Sequence, residues 1–431
     1  MQRMLIRLLL GAGAASLAVC LCSAARSEEP LPGAIVFALK YRGLNAGPNE
    51  LRYNSYWGFG GSDSAQSGFA KAVAQKVKKP YFVHNFMLKG AEWSALELKD
   101  GRPVALYFDL NRNGKLDDGE KLLPARPRKE GAEDAYEFHT PDFLVQTEKG
   151  QEMPFRVLLH ARFGGNASRP SCMWSPACVL EGSATIAGAP VKLILFANGF
   201  SGVFDQFGRC DYALLRPEEE TGQYVPRNTL SSLVNHQDQF YRLAFQGRGP
   251  KGHPAQVVLT KDTTPTGSLA VGLPGAEGLK AAFRDLRLRG AKDETVYFSL
   301  RGGKAQLPAG EYRLDGGVVD YGAAKEDEWQ VAFQRGPIAR IPANDVCAVQ
   351  LGKPALAIRA IKEENRYQND AKEESVYERG AKIYLSPKLS GSQGESYTRF
   401  SEGDRRTDRP PQITIAQADG KEVVSMTMEY G

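Results

Sequence analysis

Catalytic signatures are what this chain of 431 residues most lacks. Its five histidines, His84, His139, His160, His236 and His253, fall at no metal-ligand spacing, and no His-Glu-x-x-His run occurs. The Gly-x-Ser-x-Gly elbow that exposes a hydrolase serine is missing, as is any Cys-x-x-Cys pair for redox or zinc chemistry. Beyond the N-terminus no apolar run approaches the roughly 18 residues a membrane-spanning helix needs. Charge of one sign is also missing: 55 Lys and Arg stand against 50 Asp and Glu, scattered along the chain, which excludes a nucleic-acid binder's basic footprint. Long helices are excluded too, because 45 Gly and 25 Pro interrupt the chain too often.

Cysteine is scarce, and its placement carries a compartment. Arg3 and Arg7, the apolar stretch Leu8 to Leu21 and the small residues Cys22-Ser23-Ala24-Ala25 form the three parts of an export signal, expected over residues 1–25. Leu17-Ala18-Val19-Cys20 approaches a lipoprotein box but places Val19 where a small residue is needed. Losing Arg3 and Arg7 lowers the net charge from +5 to about +3. Of six cysteines, Cys172, Cys178, Cys210 and Cys347 remain. In an oxidising compartment, Cys172 is expected to pair with Cys178 around the Pro176 bend, which leaves Cys210 with Cys347. The alternative is buried free thiols.

Short aromatic and β-branched runs dominate the rest. Tyr81–Met87, Val104–Phe108, Phe155–Leu159, Val191–Phe196 and Phe240–Phe245 read as strands, punctuated by Gly, Pro and Asn. Phe69, Val73 and Val77, four residues apart, predict a helix over Phe69–Lys78, and Leu230–Val234 suggests one further helical turn. After residue 262 come compact β units, including Thr295–Leu300, Leu307–Leu314, Ala355–Ile361 and Gln412–Ile415, at a spacing that fits β-sandwiches. The expected fold is therefore mainly β. It comprises a β-rich region over 26–262, a β-sandwich module over 263–351 and an immunoglobulin-like module over 352–431. A mixed-charge stretch, Lys362 to Glu378, reads as a solvated loop.

Against that background one segment is chemically specific. Asp109-Leu-Asn111-Arg-Asn113-Gly114-Lys115-Leu-Asp117-Asp-Gly-Glu120 places oxygen-bearing side chains at positions one, three, five, nine and twelve of a calcium loop. Gly114 stands at the sharp turn, and Lys115 offers its main-chain carbonyl. A hard cation that takes six to eight oxygens explains this spacing better than an Asn-Gly turn with solvated acids. The loop is strand-borne, since Pro103 and the Asp100-Gly101 turn precede it, while Pro124 and Pro127 prevent an exiting helix. Lys121 follows Glu120 where an apolar anchor is usual. With three carboxylates the expected affinity is weak, roughly 10⁻⁴–10⁻³ M, which suits a structural clamp outside the cell. A second segment, 197–211, reads as a degenerate copy: Gly202 matches Gly114 and Asp205 matches Asp117, but Ala197, Gly199 and Gly208 replace three ligands. Metal binding there would fall to Asp205 and Asp211.

Weaker signals resolve blandly. Gly247-Arg-Gly249-Pro-Lys-Gly252 has the dinucleotide string but lies between two strands, so it is expected to be a hairpin loop without a phosphate-cradling helix. Asp142, Glu152, Asp205 and Asp211 could supply a carboxylate pair, and Trp57, Trp174 and Trp329 with Tyr53 and Tyr56 a sugar platform. Solvated acids and core aromatics are the plainer readings.

The run Tyr107 to Glu120, its twin at 196–211 and the elements Gly391–Tyr397 and Met428–Gly431 resemble exported bacterial proteins with EF-hand-type loops and immunoglobulin-like or fibronectin-like modules. The resemblance implies Ca²⁺ and an envelope, periplasmic or extracellular address, and no established activity. The leading expectation is a non-enzymatic, calcium-binding β protein with a protein or glycan partner and no membrane span after signal removal. The alternative is a secreted carbohydrate-active protein, either a glycoside hydrolase or a binding accessory.

Overall fold

The structure, a computed structural model, describes residues 33–45, 57–59, 61–62, 67–84, 93–125, 128–130, 133–147, 150–163, 170–197, 199–216, 219, 225–249, 252–273, 281–321, 329–352, 355–362, 378, 382–402, 412–416 and 421–427. The expected leader, Tyr53 and Tyr56, and all of the 362–378 loop except its two end residues lie outside them. The chain is mainly β, with several separate sheets and one α-helix among the described residues. No helix among these residues is long and apolar enough to cross a membrane.

Two compact units divide the chain. Of the described residues, the first takes those within 1–204, 215–224 and 244–260, and the second those within 205–214, 225–243 and 261–431.

In the first unit, five antiparallel strands follow one another as a meander: Gly61–Ser62, Tyr81–His84, Trp93–Lys99, Arg102–Phe108 and Lys121–Leu122. The helix forms over Gly68–Lys76, near its predicted span, because Ser67 caps it by accepting the Ala70 N–H at 3.0 Å. Phe69, Ala70, Val73 and Val77 pack with Phe82, Ala95, Ala105 and Tyr107 of the meander. A second five-stranded sheet, Trp57–Phe59, Ser171–Pro176, Val157–Phe163, Glu133–His139 and Arg128–Glu130, presents buried Trp174 to Phe108, with ring centroids 5.5 Å apart. The run predicted as one strand from Phe155 is broken at Arg156: Glu152–Phe155 pairs with Phe143–Gln146, while Val157–Phe163 joins the sheet. Arg156 leaves the ladder to bind Asp142 at 2.9 Å.

In the second unit, Tyr297–Leu300, Ala281–Gly290, Gly310–Tyr321, Trp329–Gln334, Ser396–Glu402, Ile383–Ser390 and Ala355–Lys362 form one large sheet. Ile338–Ile341 also pairs with Gly310–Tyr321. Because Trp329–Gln334 pairs with Ser396–Glu402, this sheet runs across residues 351 and 352. A three-stranded sheet, Lys304–Pro308, Thr266–Gly272 and Val346–Gln350, contributes Leu307, Leu269 and Val349 to the same hydrophobic cluster as Leu286, Leu314, Val331 and Phe333. The helical turn expected at Leu230–Val234 is absent; Leu233–His236 is a strand paired with Gln239–Arg242, with Leu233 and Val234 both buried.

Neither expected disulfide forms, and all four cysteines remain thiols. Pro176 does not fold the chain back. Ser171–Pro176 and Cys178–Ile186 are consecutive strands, so Cys172 and Cys178 are separated by six near-extended residues, about 20 Å, against the roughly 7 Å limit for a bridge. Burial pushes both of their thiols up to about 12.

Candidate metal centre

The loop hangs between two paired strands. Leu106 and Tyr107 of Arg102–Phe108 face Leu122 and Lys121, and the Phe108 N–H donates to the Glu120 carbonyl at 3.1 Å. Asp109 and Glu120 are thereby held at the two stalks of a narrow neck. Both are buried, at 4% and 3% exposure. Arg112 and Gly114 take positive φ, 60° and 70°, which turns the chain back on itself.

Loop oxygens face loop amides. Asp109 Oδ1 accepts from the Asn113 N–H at 3.1 Å and Oδ2 from the Gly114 N–H at 3.0 Å. Glu120 Oε1 accepts from Leu110 at 3.0 Å and, more weakly, from Asn111 at 3.5 Å, while Oε2 accepts from Asp117 at 2.9 Å. Asn113 Oδ1 accepts from the Lys115 N–H at 2.7 Å, and the amides of Asn111 and Asn113 donate to Asp117 Oδ2 at 2.7 and 2.5 Å. Burial raises the carboxyls of Asp109 and Glu120 above their ordinary values, against the lowering pull of these N–H groups, and the Asp109 charge raises Glu120 further. Asp117 is lowered, chiefly by the two asparagine amides. Neither Asp109 nor Glu120 is paired with a Lys, Arg or His side chain among the described residues.

Supports for the loop were not legible in its spacing. Gly68, at the start of the helix, lies so close that a Cβ there would stand 3.1 Å from the Gly114 carbonyl oxygen. Lys76 Nζ donates to the Leu116 carbonyl at 3.3 Å, and Leu116 itself packs on the helix cluster. The expected apolar anchor after Glu120 is replaced by Lys121, which pairs with Glu97 at 3.0 Å and lies over the Tyr107 ring at 5.4 Å. Tyr107 also donates to Glu97 at 2.9 Å.

Among the described residues no three His, Cys, Asp or Glu side chains gather to hold a metal by themselves. The six positions that the sequence offers as ligands carry only hard oxygen: two buried carboxylates, the exposed Asp117, two amide oxygens and the Lys115 carbonyl. Such oxygens would suit calcium rather than zinc.

The second segment shares the preceding hairpin turn and the glycine turn with the first, but not its acids. Asp100 and Gly101 turn one hairpin with φ of 52° and 74°; Ala187 and Gly188 turn the other with 49° and 82°. Gly202 has φ 68°, and the Val203 N–H donates to Ser201 Oγ at 3.3 Å as Lys115 does to Asn113. Where Gly114 is open, a Cβ on Gly202 would meet Val145 at 2.5 Å, and Phe200 and Phe204 are buried. Apolar packing closes this turn. Asp211 is raised by its own burial, with Arg227 pulling the other way.

The remaining candidates are dispersed. Asp142 is engaged by Arg156 and by the Tyr41 hydroxyl at 3.0 Å, and Glu152 by Arg112 at 3.4 Å. Gln146 faces Glu152 at the far end of the hairpin that Asp142 precedes, which sets the two acids on the order of 13 Å apart, too far for a glycosidase pair. Trp174 is wholly buried and cannot stack on a sugar, while the side chains of Trp57 and Trp329 lie outside the described residues. The glycine string at 247–252 links strands Gln239–Arg248 and Pro254–Lys261, as expected. Comparison with known proteins finds no matching family model, curated protein or solved structure.

Proposed function

We propose that Asp109, Asn111, Asn113, Lys115, Asp117 and Glu120 bind one calcium ion, which clamps the strand-borne loop of an exported, multi-domain β protein. The observation that carries this reading is a pair of buried acids, Asp109 and Glu120, at one neck with no basic side chain paired to them among the described residues. Buried acids are rarely left so, and backbone N–H groups alone offset only part of the cost. An ion between them supplies the missing positive charge, with Asp109 and Glu120 as the charged ligands, Asn111 and Asn113 as neutral ones, and Asp117 acting directly or through water.

A weak site of roughly 10⁻⁴–10⁻³ M is saturated in a calcium-rich exterior, so the ion serves stability rather than signalling. This agrees with the tripartite N-terminus and with the even surface charge. The second unit, with two sheets feeding one core, reads as sandwich-like modules for binding or scaffolding in the cell envelope, with a protein or glycan as partner. Thermal unfolding in about 10–100 mM calcium, roughly one hundred times that dissociation constant, against chelator tests the proposal; a midpoint that ignores calcium overturns it.

A further inference from the structure

We infer that the outer face of the large sheet in the second unit carries a binding site for an acidic polysaccharide, centred on Arg289 and Arg313. These two arginines are directly opposed on neighbouring antiparallel strands, and the same row continues to Tyr297 on one side and Ile338 on the other. Residues on the alternate positions, Leu288, Leu314 and Phe298, are buried, so the row Tyr297–Arg289–Arg313–Ile338 points away from the core.

Opposed like charges weaken a sheet. Elsewhere on this face the cost is removed locally: Arg284 pairs with Asp320 at 2.9 Å, Arg287 with Asp285 at 3.6 Å, and Lys292 and Arg340 both with Glu311 at 3.4 Å. Arg289 and Arg313 form no ion pair or side-chain hydrogen bond among the described residues, and Asp315, two positions beyond Arg313, makes none with it. Two forked guanidinium groups, about 5 Å apart at the backbone, with Arg313 exposed and Arg289 half-buried, are therefore without an anionic partner among the described residues.

The shape of the row selects the ligand. A sheet face is an open, twisted surface rather than a concave pocket, which suits an extended polymer rather than a small molecule. Guanidinium forks match carboxylates two bonds at a time. Ile338 is 44% exposed and gives the row an apolar end for the C–H face of a sugar ring. A nucleic acid would need a longer basic track, and here Glu311 and Asp285 interrupt it on both sides. The choice of a polysaccharide also rests on the chain being exported, but the site does not depend on calcium.

The test is anisotropy of a labelled oligogalacturonate titrated with the full mature chain at low salt, with chelator present so that the calcium loop plays no part. Binding should weaken roughly tenfold or more in the Arg289→Ala, Arg313→Ala double variant, the size of loss expected for charge-assisted contacts. Its thermal midpoint should hold or rise, because an opposed like-charge pair has been removed. The Arg289→Lys, Arg313→Lys variant keeps the charge but lacks the fork, and should bind little better than the alanine pair. Equal binding by wild type and the alanine pair, full binding by the lysine pair, equal affinity for neutral dextran, or tighter binding to a single-stranded DNA oligonucleotide would each overturn the inference. The Lys121→Ala variant, in the other unit, should bind as wild type does.

Discussion

Glu120 separates a turn from an ion site. Replacing it by alanine leaves the Leu110 and Asp117 N–H groups without their acceptor, and the marginal Asn111 contact is lost as well. An unsatisfied buried donor costs about 1–3 kcal/mol, and the loop rim lets water recover part of this, so the loss should be about 2–3 kcal/mol. At about 2–4 °C per kcal/mol for a unit of this size, the midpoint without calcium should fall by about 4–12 °C. Glutamine behaves differently. It keeps an oxygen for Leu110, loses the Asp117 bond, and removes the repulsion from Asp109, so Glu120→Gln should lie within about 1 kcal/mol of wild type in chelator. Calcium at about one hundred times its dissociation constant should add about 2.7 kcal/mol to wild type. That gain should vanish in Glu120→Gln, because a neutral amide cannot replace a two-oxygen charged ligand. Scanning calorimetry of the three proteins, each with chelator and with calcium, reads both effects. A glutamine variant that keeps the full calcium gain would refute the assignment.

The helix contact makes Gly68→Ala informative: its Cβ should press on the Gly114 carbonyl and weaken calcium binding by roughly threefold, under 1 kcal/mol, with little change in the chelated midpoint. Calcium titration calorimetry checks this, and unchanged affinity would mean that the loop gives way freely. Asp211, raised by burial, binds its proton more tightly folded than unfolded, so it lowers stability as pH rises from about 4, its unfolded value, through its raised folded value. Asp211→Asn should therefore be more stable than wild type at neutral pH and equal to it below about pH 4, as pH-dependent thermal melts would show. All four cysteines of the mature chain should alkylate after denaturation without reductant, read by intact mass; a missing pair of adducts would reinstate a disulfide.

Local chemistry decides local backbone. The Gly114 turn, the Asp100-Gly101 turn and the apolar face of Phe69, Val73 and Val77 are each legible in the sequence, and the structure forms a turn, a hairpin and a helix there. Long-range packing decided the rest. Nothing in the spacing of 109–120 points to Gly68 or Lys76, which are brought to it by the helix crossing the meander. Pro176 was expected to bend a cysteine loop, yet the chain stays extended because Trp174 and Val179 are each buried in a sheet. Leu230–Val234 has a helical pattern, but pairing with Gln239–Arg242 overrides it. The replacement of ligand positions by Ala197, Gly199 and Gly208 in the second copy is visible in the sequence; that Phe200 and Phe204 are buried at the turn is visible only in three dimensions.

Isothermal titration of calcium into the chelator-stripped mature chain tests the central claim most directly. The account predicts one site of roughly 10⁻⁴–10⁻³ M, lost when Asp109→Ala and Glu120→Ala are combined and retained in Asp205→Ala. Absence of binding at millimolar calcium, or a site that survives the double substitution, would contradict it.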